Sequence, residues 1–174
     1  MNKIWFTSDT HFCHYNIIQY CNRPWSNAQE MNEGLIANWN SLVSENDDVY
    51  HLGDVGIGRS NEIVSCLKRL NGKKYLIVGN HDHKIVKKPE FANEFEWIKN
   101  YHELNYSDNG RNQFIIMCHY AFKVWNGSHR GSINLFGHSH GTLKEENMAL
   151  DVGVDSHNYY PISYDQIKQI LGKK

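Results

Sequence analysis

The chain reads as an α/β protein built on a mainly parallel sheet, and three observations predict it. From Ile4 to Gly79, short apolar runs of strand length alternate with amphipathic runs of helical length. Five strand ends carry Asp, Asn or His, as expected where a parallel sheet collects its functional loops at its carboxyl edge. At 174 residues, with 40% hydrophobic and 13% aromatic residues, the chain can fill one core and is short for two, so a single domain over 1–174 is expected.

The elements follow in order. Ile4-Trp5-Phe6-Thr7-Ser8 is a strand leading into Asp9-Thr10-His11, and a loop through His14 enters a short helix at Ile17-Ile18-Gln19-Tyr20. Arg23-Pro24-Trp25 breaks that helix and forms a pocket wall or a turn with a packed indole. From Ala28 to Val43, Met31, Leu35, Trp39 and Leu42 recur at helical steps, giving one apolar face that covers the sheet. Val49-Tyr50-His51-Leu52 is the second strand, leading into Gly53-Asp54 and a glycine-rich loop. Ser60 suits an N-cap for a helix that buries Ile63, Val64, Leu67 and Leu70 and closes at Asn71-Gly72. Tyr75-Leu76-Ile77-Val78 is a buried strand, and Gly79 lets the chain turn into Asn80-His81-Asp82.

The second half is richer in strand. Glu96-Trp97-Ile98 and Tyr101 to Tyr106 read as strands, and Asp108-Asn109-Gly110 as a hairpin turn into a strand that ends Met117-Cys118-His119. Ile133-Asn134-Leu135-Phe136 leads into Gly137-His138-Ser139-His140. A second hairpin is expected around Glu145-Glu146-Asn147, with Met148 to Val154 returning. Ser163 with Gln166 forms a capping box for a last helix through Leu171.

Composition narrows the function classes. Eighteen basic against 19 acidic residues leave a formal net charge of −1, without the overall basicity of a dedicated nucleic-acid binder. Lys84, Lys87 and Lys88 make one local basic patch, read first as a solvated face. Cys13, Cys21, Cys66 and Cys118 show neither CxxC spacing nor a disulfide framework, so free thiols are expected. Mean hydropathy is −0.62 and no apolar run is long enough for a membrane span; with a strand directly at the amino terminus, no signal peptide and a cytoplasmic location are expected.

Asp9-x-His11, Gly53-Asp54, Gly79-Asn80-His81-Asp82, His119 and Gly137-His138-x-His140 resemble, in order, the five motifs of the calcineurin-like metallophosphoesterases. The opening Thr-Ser-Asp-Thr-His-Phe and closing Val-Gly-Val-Asp-Ser-His-Asn-Tyr-Tyr-Pro-Ile-Ser are similar to the small bacterial and phage branch. The resemblance implies a four-layer α/β sandwich of two mixed sheets flanked by helices. It also implies two divalent transition-metal ions, drawn from Mn, Fe, Zn, Ni or Co, with Asp9, His11 and His140 at one, Asn80, His119 and His138 at the other, and Asp54 bridging. An all oxygen and imidazole set suits such ions. A water shared by the two ions is then the implied nucleophile, with His81 charge-stabilising or protonating the leaving group, Asp82 orienting that imidazole, and Asn80, His14 and Arg59 as candidate substrate contacts.

The implied activity is phosphoester hydrolysis, with phosphodiesters of a nucleotide, cyclic nucleotide or nucleic-acid end favoured. A phosphomonoesterase and a non-catalytic scaffold of the same fold are the alternatives. The chain lacks the Gly-Asp-x-x-Asp-Arg-Gly signature of the phosphoprotein phosphatases, carries Asp82 where they have Glu, and has no length for a cap domain. An open site follows from that. His51, inside a strand, is expected to be packed and hydrogen-bonded.

Overall fold

Side-chain alternation in β1 (Ile4–Thr7) lays out the architecture: Trp5 joins one apolar core, while Ile4 and Phe6 join another. The computed structural model, which describes residues 2–108, 110–143 and 147–172, forms these cores on the two faces of one sheet. After β1 come α1 (Tyr15–Tyr20), α2 (Ala28–Leu42), β2 (Asp48–His51), α3 (Ser60–Leu67), β3 (Lys73–Ile77), α4 (Pro89–Ala92) and β4 (Trp97–Lys99). The four strands lie side by side in parallel, and Trp5, Val49 and Leu76 pack with Met31, Leu35 and Trp39 of α2 and Ile63 and Leu67 of α3. Asn27 caps α2 by accepting the Glu30 N–H at 2.9 Å. In α3, Arg59 occupies the cap position and Ser60 is already helical, one residue from the expected boundary.

The other face of this sheet carries an aromatic row. Phe6, Tyr50, Tyr75 and Trp97 are in register on successive strands, with ring centroids 5.5, 4.9 and 5.3 Å apart. A second sheet packs on that side, built from β5 (Tyr101–Asp108), β6 (Arg111–Cys118), β7 (Ile133–Phe136) and β8 (Ala149–Asp151). Ile115, Met117, Ile133, Leu135 and Leu150 fill the space between the sheets. The chain then returns to the first sheet as β9 (Ile162–Ser163), antiparallel to β1, and α5 (Tyr164–Ile170) begins on the expected Ser163–Gln166 capping box.

β5 and β6 form the expected antiparallel hairpin, with Asp108 paired to Arg111 and Gly110 at φ +83°; Asn109 of that turn lies outside the described residues. The second expected hairpin is not formed. β8 runs parallel to β7 at the edge of the sheet, which excludes a tight hairpin turn between them. Glu145 and Glu146 lie outside the described residues. β1, β2 and β3 are mutually parallel, as are β6 and β7, and bonds from His119 to Leu52 O and from His138 N–H to Asp9 Oδ2 bring the carboxyl ends of both sets to one rim.

Candidate metal centre

The loops that leave these strands are zipped together by their backbones. Asp9 N–H donates to Gly53 O at 2.9 Å, His11 N–H to Asp54 O at 3.0 Å, and Phe12 N–H to Val55 O at 2.8 Å. Five residues at the rim adopt left-handed backbone: Asp9 (φ 58°), His11 (50°), Asp54 (57°), His138 (66°) and His140 (49°). Each such residue costs on the order of 1–3 kcal/mol and persists only where its surroundings enforce it, and such strain clusters at functional sites. The two glycines of the neighbouring turns admit the carboxylates: a Cβ on Gly79 would collide with Asp54 Oδ1, and one on Gly137 with Asp9 Oδ2 and Ser8 Oγ.

This backbone presents two groups of donors. Asp9, His11 and His140 place ligand atoms within 4.8 Å of one another, and so do Asp54, His119 and His138. Asn80 joins the second group, its Oδ1 3.1 Å from His119 Nε2. Asp54 stands between the groups. Its Oδ1 accepts the His81 N–H at 2.9 Å, while Oδ2 lies 3.7 Å from His11 Nε2, 3.5 Å from His119 Nε2 and 3.9 Å from His81 Nε2.

The hydrogen bonding of this set fits a divalent cation. Asp9 Oδ1 and both ring nitrogens of His11 are buried without a hydrogen-bond partner among the described residues, which is costly for atoms meant to stay alone. His119 Nδ1 lies 2.7 Å from Leu52 O, so it carries the proton and turns the Nε2 lone pair toward Asp54 Oδ2 and Asn80 Oδ1. His140 Nδ1 lies 2.7 Å from Asp155 Oδ2, which likewise leaves Nε2 free to ligate. The side chains that converge offer only nitrogen and oxygen atoms as ligands, as borderline first-row ions prefer.

Protonation follows the same crowding. Burial pushes the Asp9 carboxyl up to about 7, against the attraction of His119 and His140. Burial also drives His11 well below the usual imidazole range. For Asp54 burial acts upward, yet the His119 hydrogen bond and charge and the His81 N–H hold it well below the usual carboxylate range. His119 and His140 stay above the ordinary imidazole value despite burial, through Asp54 and Asp9 for the one and Asp155 and Asp9 for the other.

A supporting layer emerges that was not legible as such. Arg23, fully buried at its side chain, donates through Nε and Nη2 to the two oxygens of Asp155 at 2.8 Å each, and through Nη2 and Nη1 to the carbonyls of Asp9 at 2.7 Å and Thr10 at 3.0 Å. One ion pair therefore fixes both the first loop and the His140 ring. Asp151 does the same for the last loop, accepting from Ser139 Oγ, from Gly141 N–H at 3.0 Å and from Gly153 N–H at 2.7 Å. Arg23 lies in the Arg-Pro-Trp break and Asp155 in the closing Val-Gly-Val-Asp-Ser run, and a pairing across 132 residues has no local sequence signal.

Asp82 has a different place from the one expected. Its carboxylate accepts the backbone N–H groups of Gly79 at 2.9 Å, Asp54 at 2.8 Å and Val55 at 3.0 Å, and makes no side-chain bond to His81 among the described residues. It ties two ligand loops together because an acid beside His81 in a tight turn points inward, under the loop. Arg59 is 82% exposed and pairs with Glu62 at 3.7 Å, so it is not brought to the centre. His14 is: it lines a cavity of about 770 Å³ together with His11, His81 and His140. His51 is packed as expected, bonded to Thr10 Oγ1 at 2.9 Å and Gly53 N–H at 3.2 Å. The four cysteines are free, and no described helix is long and apolar enough to cross a membrane.

Comparison with known proteins agrees with this geometry. A family model described as calcineurin-like phosphoesterase matches residues 2–170. An uncharacterised protein of Methanocaldococcus jannaschii is 36% identical over 182 residues, covering 99% of this chain and 93% of its own. The Gene 66 protein of Mycobacterium phage L5 is 26% identical over 168 residues, covering 82% and 80%. Among solved structures, a protein of unknown function from Aquifex aeolicus superposes over 98% of this chain and 100% of its own, with a TM-score of 0.72 and 24% identity.

Proposed function

Since the chain belongs to the calcineurin-like phosphoesterase family, we propose that it is a dinuclear metal-dependent phosphodiesterase acting on nucleotide or nucleic-acid phosphodiesters. The observation that carries this reading is the position of Asp54 Oδ2, within 4 Å of imidazole nitrogens from both donor groups. A carboxylate there can be shared by two cations and offset their repulsion. Asp9, His11 and His140 would hold one, and Asn80, His119 and His138 the other, with Asp54 common to both. Bound there, the ions supply Lewis acidity toward phosphoryl oxygens and a water acidic enough to attack phosphorus near neutral pH.

The protein's own groups complete the chemistry. With Oδ1 turned to the centre, Asn80 keeps its amide N–H₂ as a donor for a phosphoryl oxygen. His81, with its side chain 45% exposed and its N–H held by Asp54, sits over the centre where it can protonate a leaving alkoxide. His14 borders the same space. Preference for a diester is supported by room on both sides of His81: one cavity of about 770 Å³ is shared with Tyr20 and Tyr159, and another of about 660 Å³ with Lys84 and Lys88. A monoester needs one such space, and a diester with two substituents uses both.

The test is hydrolysis of bis(p-nitrophenyl) phosphate and p-nitrophenyl phosphate by chelator-treated protein, with Mn, Ni, Zn, Fe or Mg restored singly. Metal-restored turnover favouring the diester is expected. Preference for the monoester would make the protein a phosphatase, and metal binding without turnover of either ester would favour a scaffold.

A further inference from the structure

The second cavity differs in chemistry from the first. It is lined by Asn80 and His81, by Ile57, Ile63 and Ile85 as apolar wall, and by His83, Lys84 and Lys88. No carboxylate is among its lining residues. Lys88 Nζ is steadied by Ser60 Oγ at 3.0 Å, and Ser60 in turn reaches Glu90 at 3.4 Å. Lys84 has no ion-pair partner among the described residues, so its ammonium is available. On a chain whose formal net charge is −1, two lysines at the rim of the reacting centre are a local feature, not a consequence of general basicity.

Distance selects what these lysines can meet. Lys84 follows His81 by three residues, so their Cα atoms are at most about 11 Å apart. The reacting phosphate lies under His81 in the reading above, and a lysine side chain from that distance covers the position one linkage further along a substrate. The first cavity, on the other side of His81, offers aromatic rings instead: Tyr20 is 73% exposed, with its ring centroid 6.4 Å from that of His14, and Tyr159 lines the same wall. Rings of this kind stack bases without regard to sequence. The two sides together thus ask for a base on one arm and a second anion on the other.

We propose that Lys84 and Lys88 form a subsite for a second phosphate group, one linkage from the phosphorus under attack, and that the substrate is a diester bearing at least two phosphates. This deepens the phosphodiesterase reading and rests on it. The second phosphate can come from the next nucleotide of a strand or from a nucleoside diphosphate.

The test compares the thymidine dinucleotide TpT with its 5′-phosphorylated form pTpT, and pTpT with diadenosine diphosphate, for wild type and a Lys84→Ala/Lys88→Ala variant. For wild type, kcat/KM on pTpT is expected to exceed that on TpT by about three- to tenfold, the scale of exposed ion pairs, and to lose this advantage in rising salt. In the variant the ratio should fall to near one through KM. Preference between pTpT and diadenosine diphosphate then assigns the source. An equal ratio in wild type and variant, or no preference in wild type, overturns the subsite. Binding of pTpT and TpT to the His81→Ala protein with Mn²⁺, by calorimetry, gives the same ratio without turnover. Failure of all hydrolysis would therefore count against the phosphodiesterase reading, while equal binding of the two dinucleotides would count against the subsite alone.

Discussion

At the scale of single residues, the centre is a set of acids and imidazoles held where none would choose to be without a cation. Asp54 is the residue whose change should matter most. Asp54→Asn keeps the shape and the His81 N–H bond but removes the shared charge, and hydrolysis is expected to fall by more than about 100-fold, beyond what loss of an outer partner produces. Unaltered turnover in a metal-restored assay would rule out its bridging place. Asp9 gives a pH dependence. Its carboxyl is raised to about 7 by burial in the metal-free protein and must lose its proton to ligate. Metal affinity should therefore be full above pH 7 and fall as pH drops through 7, approaching about tenfold per unit for one proton; calorimetry in buffers of different ionisation enthalpy reads the proton released. The donors that converge at the rim could be located in sequence because each follows an apolar run near a strand end; their roles toward a metal came from the resemblance alone. Adjacency in sequence suggests Asp82 as a partner of His81, whereas its carboxylate is taken up by the backbone N–H groups of Gly79 and Asp54.

At the scale of elements, loops from distant parts of the chain are joined by buried polar bonds, and the Arg23–Asp155 pair is the clearest case. Its partners are 132 residues apart, one before α2 and one after β8. Asp155→Ala would leave the guanidinium buried without its counter-ion and is expected to cost about 3–5 kcal/mol of stability. Metal affinity should fall by about 10–100-fold, because the His140 ring loses the bond that sets its tautomer. Denaturant unfolding reads the first and metal titration of the folded variant the second; a stability loss with unchanged affinity would make the pair purely structural. In the first half, α2 and α3 are legible from apolar faces at helical period, and β1, β2 and the end of β3 from apolar runs rich in β-branched and aromatic residues. Between β7 and β8, polar residues around Asn147 signal a turn but do not say whether the next strand runs back or crosses over.

At the scale of the whole molecule, the two sheets meet through the aromatic row of the first and the aliphatic face of the second, and the metal-binding rim is the shared edge of that sandwich. Phe6 is fully buried at the end of this row. Phe6→Ala is expected to cost about 3–5 kcal/mol, and because the core underlies the loops, bound Mn²⁺ should recover part of the lost melting temperature by mass action. Calorimetry with and without metal checks this; equal shifts in wild type and variant would still fit, whereas no metal-dependent shift in either would not. The parallel half of the fold was readable from alternation alone. The second sheet was not, since its parallel pairs β6–β7 and β7–β8 form across connections with no helical pattern to announce them.

The proposed centre holds two cations that share Asp54, and counting them is the direct test. Chelator-treated protein equilibrated with Mn²⁺ by dialysis and analysed for metal per chain is predicted to hold two ions, with fewer in Asp54→Asn. A wild-type protein that saturates at one ion, or at none, would contradict it.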